Sequence, residues 1–443
     1  MPTLAISLLH MRRLCLPRIK ATNVAAMLAG IITPTLLLPL AWHFHHPLFY
    51  GLRYLETPVL VGLPIIILLR WRQLGWLARL LFSAVLLLTL ARGVEYRLQR
   101  DAVLAAGPNM QAVGQHFIAG YNNFEEVREL ASKGLIGGIY VGRRNVRGRS
   151  FAEVAAEIAE LQAIRQRAEL PPLIVAADQE GGPVSHLSPL LEALPPLAKL
   201  NEAADPTIAA RAYGEHQGRG LAALGITLNF GPVVDLKPAS KVGEDKFSNI
   251  PARAIASDPA QVESIADAYL DGLASQGVRG TLKHYPGLGR VRTDTHLHPA
   301  TLDGHPDQFA IDWQPFRRLG QRPGSAMMLG HVTLTTIDPG KAASHSASVV
   351  ALLRAGWGYD GLLLTDDLNM GAVYRRGIGR VSGEALASGV DLVLVTYDPR
   401  QIYRAIYGAA RAVEQHEITP YQLQKSVERI DAWREAHYSA FTG

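Results

Sequence analysis

Cysteine is all but missing from this chain: Cys15 is the only one in 443 residues. A lone thiol excludes an intramolecular disulfide, a CxxC redox pair and a cysteine-rich zinc site, and it leaves the redox compartment open. No glycine fingerprint for dinucleotides follows the first strand-like run, and no Walker-type phosphate loop occurs anywhere, so nothing calls for a nucleotide cofactor. Charged residues make up 19%, and the formal excess of +5 is scattered, with no aromatic-basic stripe. That pattern fits an ordinary basic surface and no nucleic-acid partner. With 48% hydrophobic residues the chain can bury a sizeable core, as one large domain or two ordinary ones, with disorder expected only at the edges.

Apolar residues are concentrated at the start, in segments at 24–42, 58–69 and 76–90. The first has the ~20 residues a bilayer core requires, the second reaches that length only with its flanks, and the third carries Arg79 near one end, where it can snorkel. Arg12, Arg13, Arg18 and Lys20 precede the first segment, so a cleavable signal peptide competes with an anchor; the two later segments and the lack of a small-x-small site favour the anchor. Arg53 lies between the first two segments, and Arg70 and Arg72 between the second and third. Three spans with the N-terminus inside a bacterial inner membrane would put the rest of the chain in the periplasm or outside; a second segment that fails to span would turn it to the cytoplasm. The expected organisation is a membrane region of about three transmembrane helices over 1–100 and one folded domain over 101–443.

From about Asp101, short β-rich apolar runs alternate with longer stretches of helical spacing. Eight such runs fall at 115–119, 136–141, 173–178, 226–230, 280–284, 326–331, 361–366 and 391–396, with helices such as 124–133, 151–167, 208–224, 260–276, 346–355 and 400–415 between them. Strict alternation predicts a parallel sheet, and eight repeats predict an α/β fold of the (β/α)8 TIM-barrel type, with a doubly wound open sheet as the alternative. Asp178, Asn229, Lys283 with His284, His331 and Asp366 all close or directly follow apolar runs. A barrel gathers such strand ends on one face, where active sites form.

The densest chemistry lies in Lys283-His284-Tyr285-Pro286-Gly287-Leu288-Gly289, followed after four residues by Asp294-Thr295-His296. His284, Asp294, His296 and His298 match no helix-based metal spacing, and the Pro-Gly turn predicts a loop, so no metal is expected. Asp366 ends a buried run, with Asp367 beside it facing outward or capping; taken alone, Thr365-Asp366-Asp367 would serve equally as a helix cap. A carboxylate nucleophile attacking a sugar's anomeric carbon needs a second group that protonates the leaving oxygen and later deprotonates water. His296 suits that task, with Asp294 to orient its imidazole, although an Asp-x-His pair is more often a plain surface loop.

Several stretches together resemble glycoside hydrolase family 3, in its β-N-acetylhexosaminidase branch. The segment from Lys283 to His296 is similar to that branch's K-H-(F/Y)-P-G signature and its D-(S/T)-H continuation. Ala177-Asp178-Gln179-Glu180-Gly181-Gly182 resembles its DQEGG loop, Leu228-Asn229-Phe230-Gly231-Pro232-Val233-Val234-Asp235 its NFAPVxD segment, and Thr365-Asp366-Asp367-Leu368-Asn369-Met370-Gly371-Ala372 its nucleophile motif, in the family's order over 111–437. The resemblance implies one (β/α)8 barrel with Asp366 as nucleophile, His296 on a mobile loop as general acid/base and Asp294 as its partner. It also implies that Lys283, His284 and Asp178 bind sugar hydroxyls, with Arg253 where the family places an arginine; His331 at its strand end is a further sugar-binding candidate.

Three features depart from that pattern. His186 stands where the family has an arginine that helps hold the sugar, so it is a sugar-binding candidate that contacts a hydroxyl with fewer donors. The segment 237–251 differs from the family's shorter approach to its arginine, which suggests that the sugar's far edge is bound differently. An N-terminal membrane region is the third. The expected activity is a retaining exo-β-N-acetylhexosaminidase that removes terminal β-linked N-acetylglucosamine from cell-wall or chitin-type glycans, without metal or organic cofactor. Phosphorolysis, β-glucoside hydrolysis on the same scaffold and a catalytically idle membrane-anchored glycan-binding protein are the alternatives.

Overall fold

The computed structural model describes residues 21–70, 75–238 and 247–439, with the side chains of 21–27 and 437–439 left aside. Cys15, the basic residues before the first apolar segment, Arg72 and most of the divergent stretch 237–251 lie outside the described residues. The chain divides into two compact units, one made of Met1–His45 and Gly51–Val94, the other of His46–Tyr50 and Glu95–Gly443.

In the first unit, helix Ala21–His43 corresponds to the first apolar segment and helices Pro58–Gly62 and Leu63–Arg70 to the second, with the turns over Pro47–Leu55 between them in sequence. Leu37, Phe44, Leu60, Phe82 and Val85 are buried together, while Leu36, Leu69, Leu80 and Leu87 are exposed apolar surface. Trp76–Leu104, with 29 residues, is the one described helix long and apolar enough to cross a membrane, and a second span arises only if Leu28–His43 and Pro47–Leu55, bent by 113°, count as one. Over the middle segment the described helices, Pro58–Gly62 and Leu63–Arg70, have 5 and 8 residues, and residues 71–74 lie outside the described residues.

The second unit is a closed barrel of eight parallel strands: β1 Phe117–Gly120, β2 Gly138–Val141, β3 Ile174–Ala177, β4 Leu228–Asn229, β5 Arg279–Tyr285, β6 Ala326–Leu329, β7 Leu362–Asp367 and β8 Leu392–Val395. Each pairs with its sequence neighbour, and β1 closes on β8 through Ile118 opposite Leu394. All eight expected runs became these strands, so the barrel, and not the open sheet, is the fold. Helices begin at side-chain caps that the sequence supplies: Ser150 and Glu153 form a capping box at Phe151–Arg167, while Asp205 and Asp258, each followed by proline, start Pro206–Leu224 and Pro259–Ser275. This is why two helices start a residue or two before their apolar spacing does.

Inside the barrel, Ile118, Ile174, Leu228, Phe230, Met328, Leu364 and Leu394 fill the lumen, and Ile430 and Trp433 of the last helix, Pro420–Ser439, join them. Around Asp391, at the start of β8, Arg354, Ser426 and Arg429 converge, so the last helix is tied to the N-terminal ends of the strands. One end of the barrel is thus plugged. The polar strand ends open onto the other.

Candidate active site

The period-two rule of a strand would send successive side chains to opposite faces. At the C-terminal ends of β5 and β7 that rule is broken, because the register shifts between Leu282 and Tyr285 and between Leu364 and Asp367. Such bulges re-aim side chains. Lys283, His284 and Asp366 reach the same face through them, joined by Asp178 after β3 and His331 after β6. Asn229, at the end of β4, plays a scaffolding part: its amide accepts from Gln179 N at 3.0 Å and donates to Gln179 O at 2.8 Å, pinning the hairpin that follows Asp178.

Lys283 Nζ is 2.7 Å from Asp178 and 2.5 Å from Glu180. Arg253 forks onto Glu180 through Nε at 2.9 Å and Nη2 at 2.6 Å, and donates to Ser248 O at 2.7 Å. Two cations therefore face two carboxylates, a balanced set that tolerates burial because each charge is paired. Lys283, Arg253 and Glu180 have side chains 2%, 7% and 6% exposed, whereas Asp178 keeps 23% and is the member with acceptor capacity facing the opening. Burial pushes Asp178 up, but Lys283, His186 and Arg253 outweigh it and hold its carboxyl down at about 2. The same competition lowers Glu180 and raises Arg253.

His284 is oriented by Asp235, which is wholly buried and accepts from His284 Nδ1 at 2.7 Å, from the His284 amide and from Leu288 N at 2.8 Å. A carboxylate only accepts, so Nδ1 carries a proton and Nε2 meets the Arg253 Nη2 donor at 3.4 Å. His186 lies beside Asp178, and its Nδ1 shares a hydrogen bond with Tyr140 OH at 2.7 Å. Burial lowers the imidazole and raises the phenol, so both stay neutral.

Asp366 accepts one hydrogen bond from Asp367 N at 2.8 Å. Burial works against its charge, but His284, His331 and His296 and the Asp367 amide hold it below the usual carboxylate range, so it is ionised at neutral pH. Asp367 turns away and fastens β7 to the end of β8 through Thr396 Oγ1 at 2.5 Å and Tyr397 N at 2.7 Å. His331 Nε2 donates to Asp367 O at 2.9 Å, and its Nδ1 accepts from Ser344 Oγ at 2.8 Å. Both ring nitrogens of His331 are committed to the protein, so the structure gives it the turn beneath Asp366 to hold and no ring nitrogen for a sugar hydroxyl.

His296 and Asp294 sit on the long loop after β5. Asp294 accepts from His296 Nδ1 at 2.9 Å, His296 N at 3.0 Å and Phe247 N at 2.7 Å, with Ser248 Oγ at 3.3 Å. Burial raises Asp294, but these donors, His296 first, bring it down to about 2. The pair is asymmetric: Asp294 is 4% exposed and His296 is 43%, so Nδ1 is anchored while Nε2 turns to the opening. The loop is docked, with Gly371 N donating to His296 O at 2.8 Å and Ala372 N to Thr295 O at 3.1 Å. A Cβ on Gly371 would meet Leu297 O at 2.2 Å, so only glycine admits that approach.

Sequence reasoning left out Glu180, Asp235 and Ser248 as working residues, although the first two lie inside the quoted motifs. Their signal was complementarity: two buried cations at 253 and 283 need more carboxylate than Asp178 supplies. In the divergent segment 237–251, the described residues Phe247 and Ser248 hold Asp294 under the imidazole. Among the described residues no three His, Cys, Asp or Glu side chains are grouped to hold a metal ion. What the site presents is an ionised carboxylate, an imidazole anchored by one nitrogen and a paired-charge cage with one open acceptor, a set suited to displacement at an acetal carbon bearing hydroxyls.

The family model described as "Glycosyl hydrolase family 3 N terminal domain" matches residues 106–432. A beta-hexosaminidase of Nitrosomonas eutropha is 34% identical over 292 residues, covering 64% of this chain and 80% of that protein. Among solved structures, a glycoside hydrolase family 3 beta-N-acetylglucosaminidase from a Paenibacillus species superposes with a TM-score of 0.69 at 31% identity, over 75% of this chain and 63% of its own. A family 3 glycosyl hydrolase of Mycobacterium smegmatis gives 0.66 at 29% identity, over 74% and 98%.

Proposed function

Since the chain belongs to glycoside hydrolase family 3 and is a glycoside hydrolase, we propose that it removes terminal β-linked N-acetylglucosamine from cell-wall or chitin-type glycans with retention of configuration. Asp366 attacks the anomeric carbon while His296 Nε2 delivers a proton to the leaving oxygen, giving a glycosyl ester on Asp366; His296 then takes a proton from water, which attacks the same carbon and frees Asp366. Asp294 fixes the imidazole through Nδ1 and favours its charged form as it forms. Asp178 accepts from hydroxyls of the terminal sugar, with Lys283, Arg253 and His284 holding the cage behind it. The observation that carries this reading is the pairing, on one barrel face, of an ionised Asp366 with a half-exposed imidazole anchored at 2.9 Å by a buried carboxylate.

The test is release of p-nitrophenol from its β-N-acetylglucosaminide by the full chain, with Asp366→Ala and His296→Gln beside it. His296→Gln should lose about 10²–10⁴-fold and Asp366→Ala more. Wild-type protein that is folded but inactive on this glycoside and on the β-glucoside would replace the reading with glycan binding alone, and a glycosyl phosphate formed only when phosphate is present would replace hydrolysis with phosphorolysis.

We further propose that residues 1–100 attach the catalytic domain, 101–443, to the inner membrane with that domain outside the cytoplasm. The 29-residue apolar helix Trp76–Leu104 and the basic residues before the first segment support this. A reporter fused after Gly443 that is active only in the cytoplasm would overturn the orientation.

A further inference from the structure

Strands β3 to β7 and the loops after them supply the cage, the nucleophile and the acid/base. The ends of β8, β1 and β2 supply none of these groups, yet that sector of the mouth is built with care. Arg144, just after β2, donates to Asn122 Oδ1 at 3.0 Å, to Tyr397 O at 2.7 Å and to the Tyr50 hydroxyl at 2.6 Å, and its guanidinium lies 5.2 Å from the Tyr50 ring centre. Tyr50 packs on Tyr397 with ring centres 4.5 Å apart, and His46 meets Tyr374 edge to face at 4.7 Å. His46–Tyr50 precedes the barrel by some seventy positions in sequence but belongs to the same compact unit.

Both contacts lead back to the reacting groups. Tyr397 N donates to Asp367, the neighbour of the nucleophile, at 2.7 Å. Tyr374 ends the short helix Gly371–Tyr374, whose first amide donates to His296 O at 2.8 Å. The oxygen that His296 protonates is the one leading to the departing part of the glycan, so that part emerges beside this helix. Tyr397 is 46% exposed, and Tyr50, His46 and Tyr374 are partly exposed, so the cluster presents aromatic surface to the solvent. Aromatic rings held rigid by an arginine clamp suit the apolar C–H face of a pyranose ring, and rigidity reduces the entropy lost on binding.

We infer that His46–Tyr50, with Tyr374 and Tyr397, forms the subsite for the sugar that follows the cleaved N-acetylglucosamine, so that a segment outside the family domain sets the preference for glycan length. This rests on the functional reading above. The experiment compares kcat and KM of the full chain on methyl β-N-acetylglucosaminide, whose leaving group is one carbon, and on N,N′,N″-triacetylchitotriose, for wild type, Tyr50→Ala, Tyr50→Phe and Tyr397→Ala. The chitotriose-to-methyl ratio of kcat/KM should fall about tenfold in both alanine variants, the order of one aromatic contact, mostly through KM for chitotriose. Tyr50→Phe, which keeps the ring and loses one hydrogen bond, should retain most of the ratio. Failure of the functional reading shows as cleavage of neither glycoside by folded wild type and removes this inference with it. Cleavage of both with the same ratio in every variant, or equal losses on both substrates, overturns the inference alone and leaves the catalytic reading standing.

Discussion

At the plugged end of the barrel Asp391 is wholly buried and every part of it is engaged: Arg354 at 2.6 Å, Arg429 at 2.8 Å, Ser426 at 2.9 Å and Leu363 N at 2.9 Å on the carboxylate, and His116 Nδ1 at 2.9 Å on its carbonyl. At the open end Asp366 accepts a single bond from its neighbour's amide, with three imidazoles around it and no direct ion pair among the described contacts. Asp391 is removed from water and saturated, whereas Asp366 is half-buried and unsaturated. A saturated buried charge holds elements together; an unsaturated one keeps lone pairs and reactivity for a ligand.

Exchanging the charge at each end sharpens this contrast most. Asp366→Asn should abolish turnover by at least about 10³-fold while leaving the melting temperature within a few degrees, because no cation loses its direct partner. Asp391→Asn should do the reverse, costing roughly 3–5 kcal/mol by leaving two guanidiniums without their counter-charge while activity per folded molecule persists. Melting curves and active-site-normalised rates on the two variants read this out; matching phenotypes would break the comparison.

Asp294 belongs to neither extreme, being buried and well bonded like Asp391 yet joined to a half-exposed partner. Asp294→Asn should therefore lower kcat by about 10²-fold, with a smaller deficit on a dinitrophenyl glycoside, whose leaving oxygen needs no proton. A deficit that is the same for good and poor leaving groups would make Asp294 a loop anchor and no more.

How legible each end was in the sequence follows from the same physics. The eight strands could be read because a parallel strand buried on both faces is a short continuous apolar run, and the polar residue closing each run marks the open end. Asp366, His296 and Lys283 were visible that way. Glu180 pairing with Lys283 and Arg253, and Asp235 with His284, join positions 49 to 103 apart, and no local spacing encodes which carboxylate meets which cation. The bulges that turn Lys283 and His284 to one face break the alternation on which strand reading depends. Asp391 looked like the first residue of a strand and nothing more, since its partners Arg354 and Arg429 come from flanking helices.

Acid sensitivity offers the finest test, because the imidazoles and the carboxylates fail in different windows. His116 at the plugged end and His331 and His345 beside the nucleophile turn are buried and neutral, lowered first by burial; His345 comes down to about 3. The folded chain refuses protons that the unfolded chain takes up near 6.5, so stability fully present above that pH is lost progressively as pH falls toward the folded value. For His345 this amounts to roughly 2 kcal/mol by about pH 5. Asp178 and Asp294, both down at about 2, keep their contribution until pH falls below the unfolded 3.8 and lose it on the way to 2. Melting temperature should therefore fall in two stages, the first beginning near pH 6.5. His345→Gln, which cannot take up a proton, should flatten part of that first stage and leave the second in place. A first stage as steep as in wild type would mean that the imidazole beside Glu384 is already charged in the folded protein, and that the wall behind the nucleophile resembles the saturated end of the barrel more than the open one.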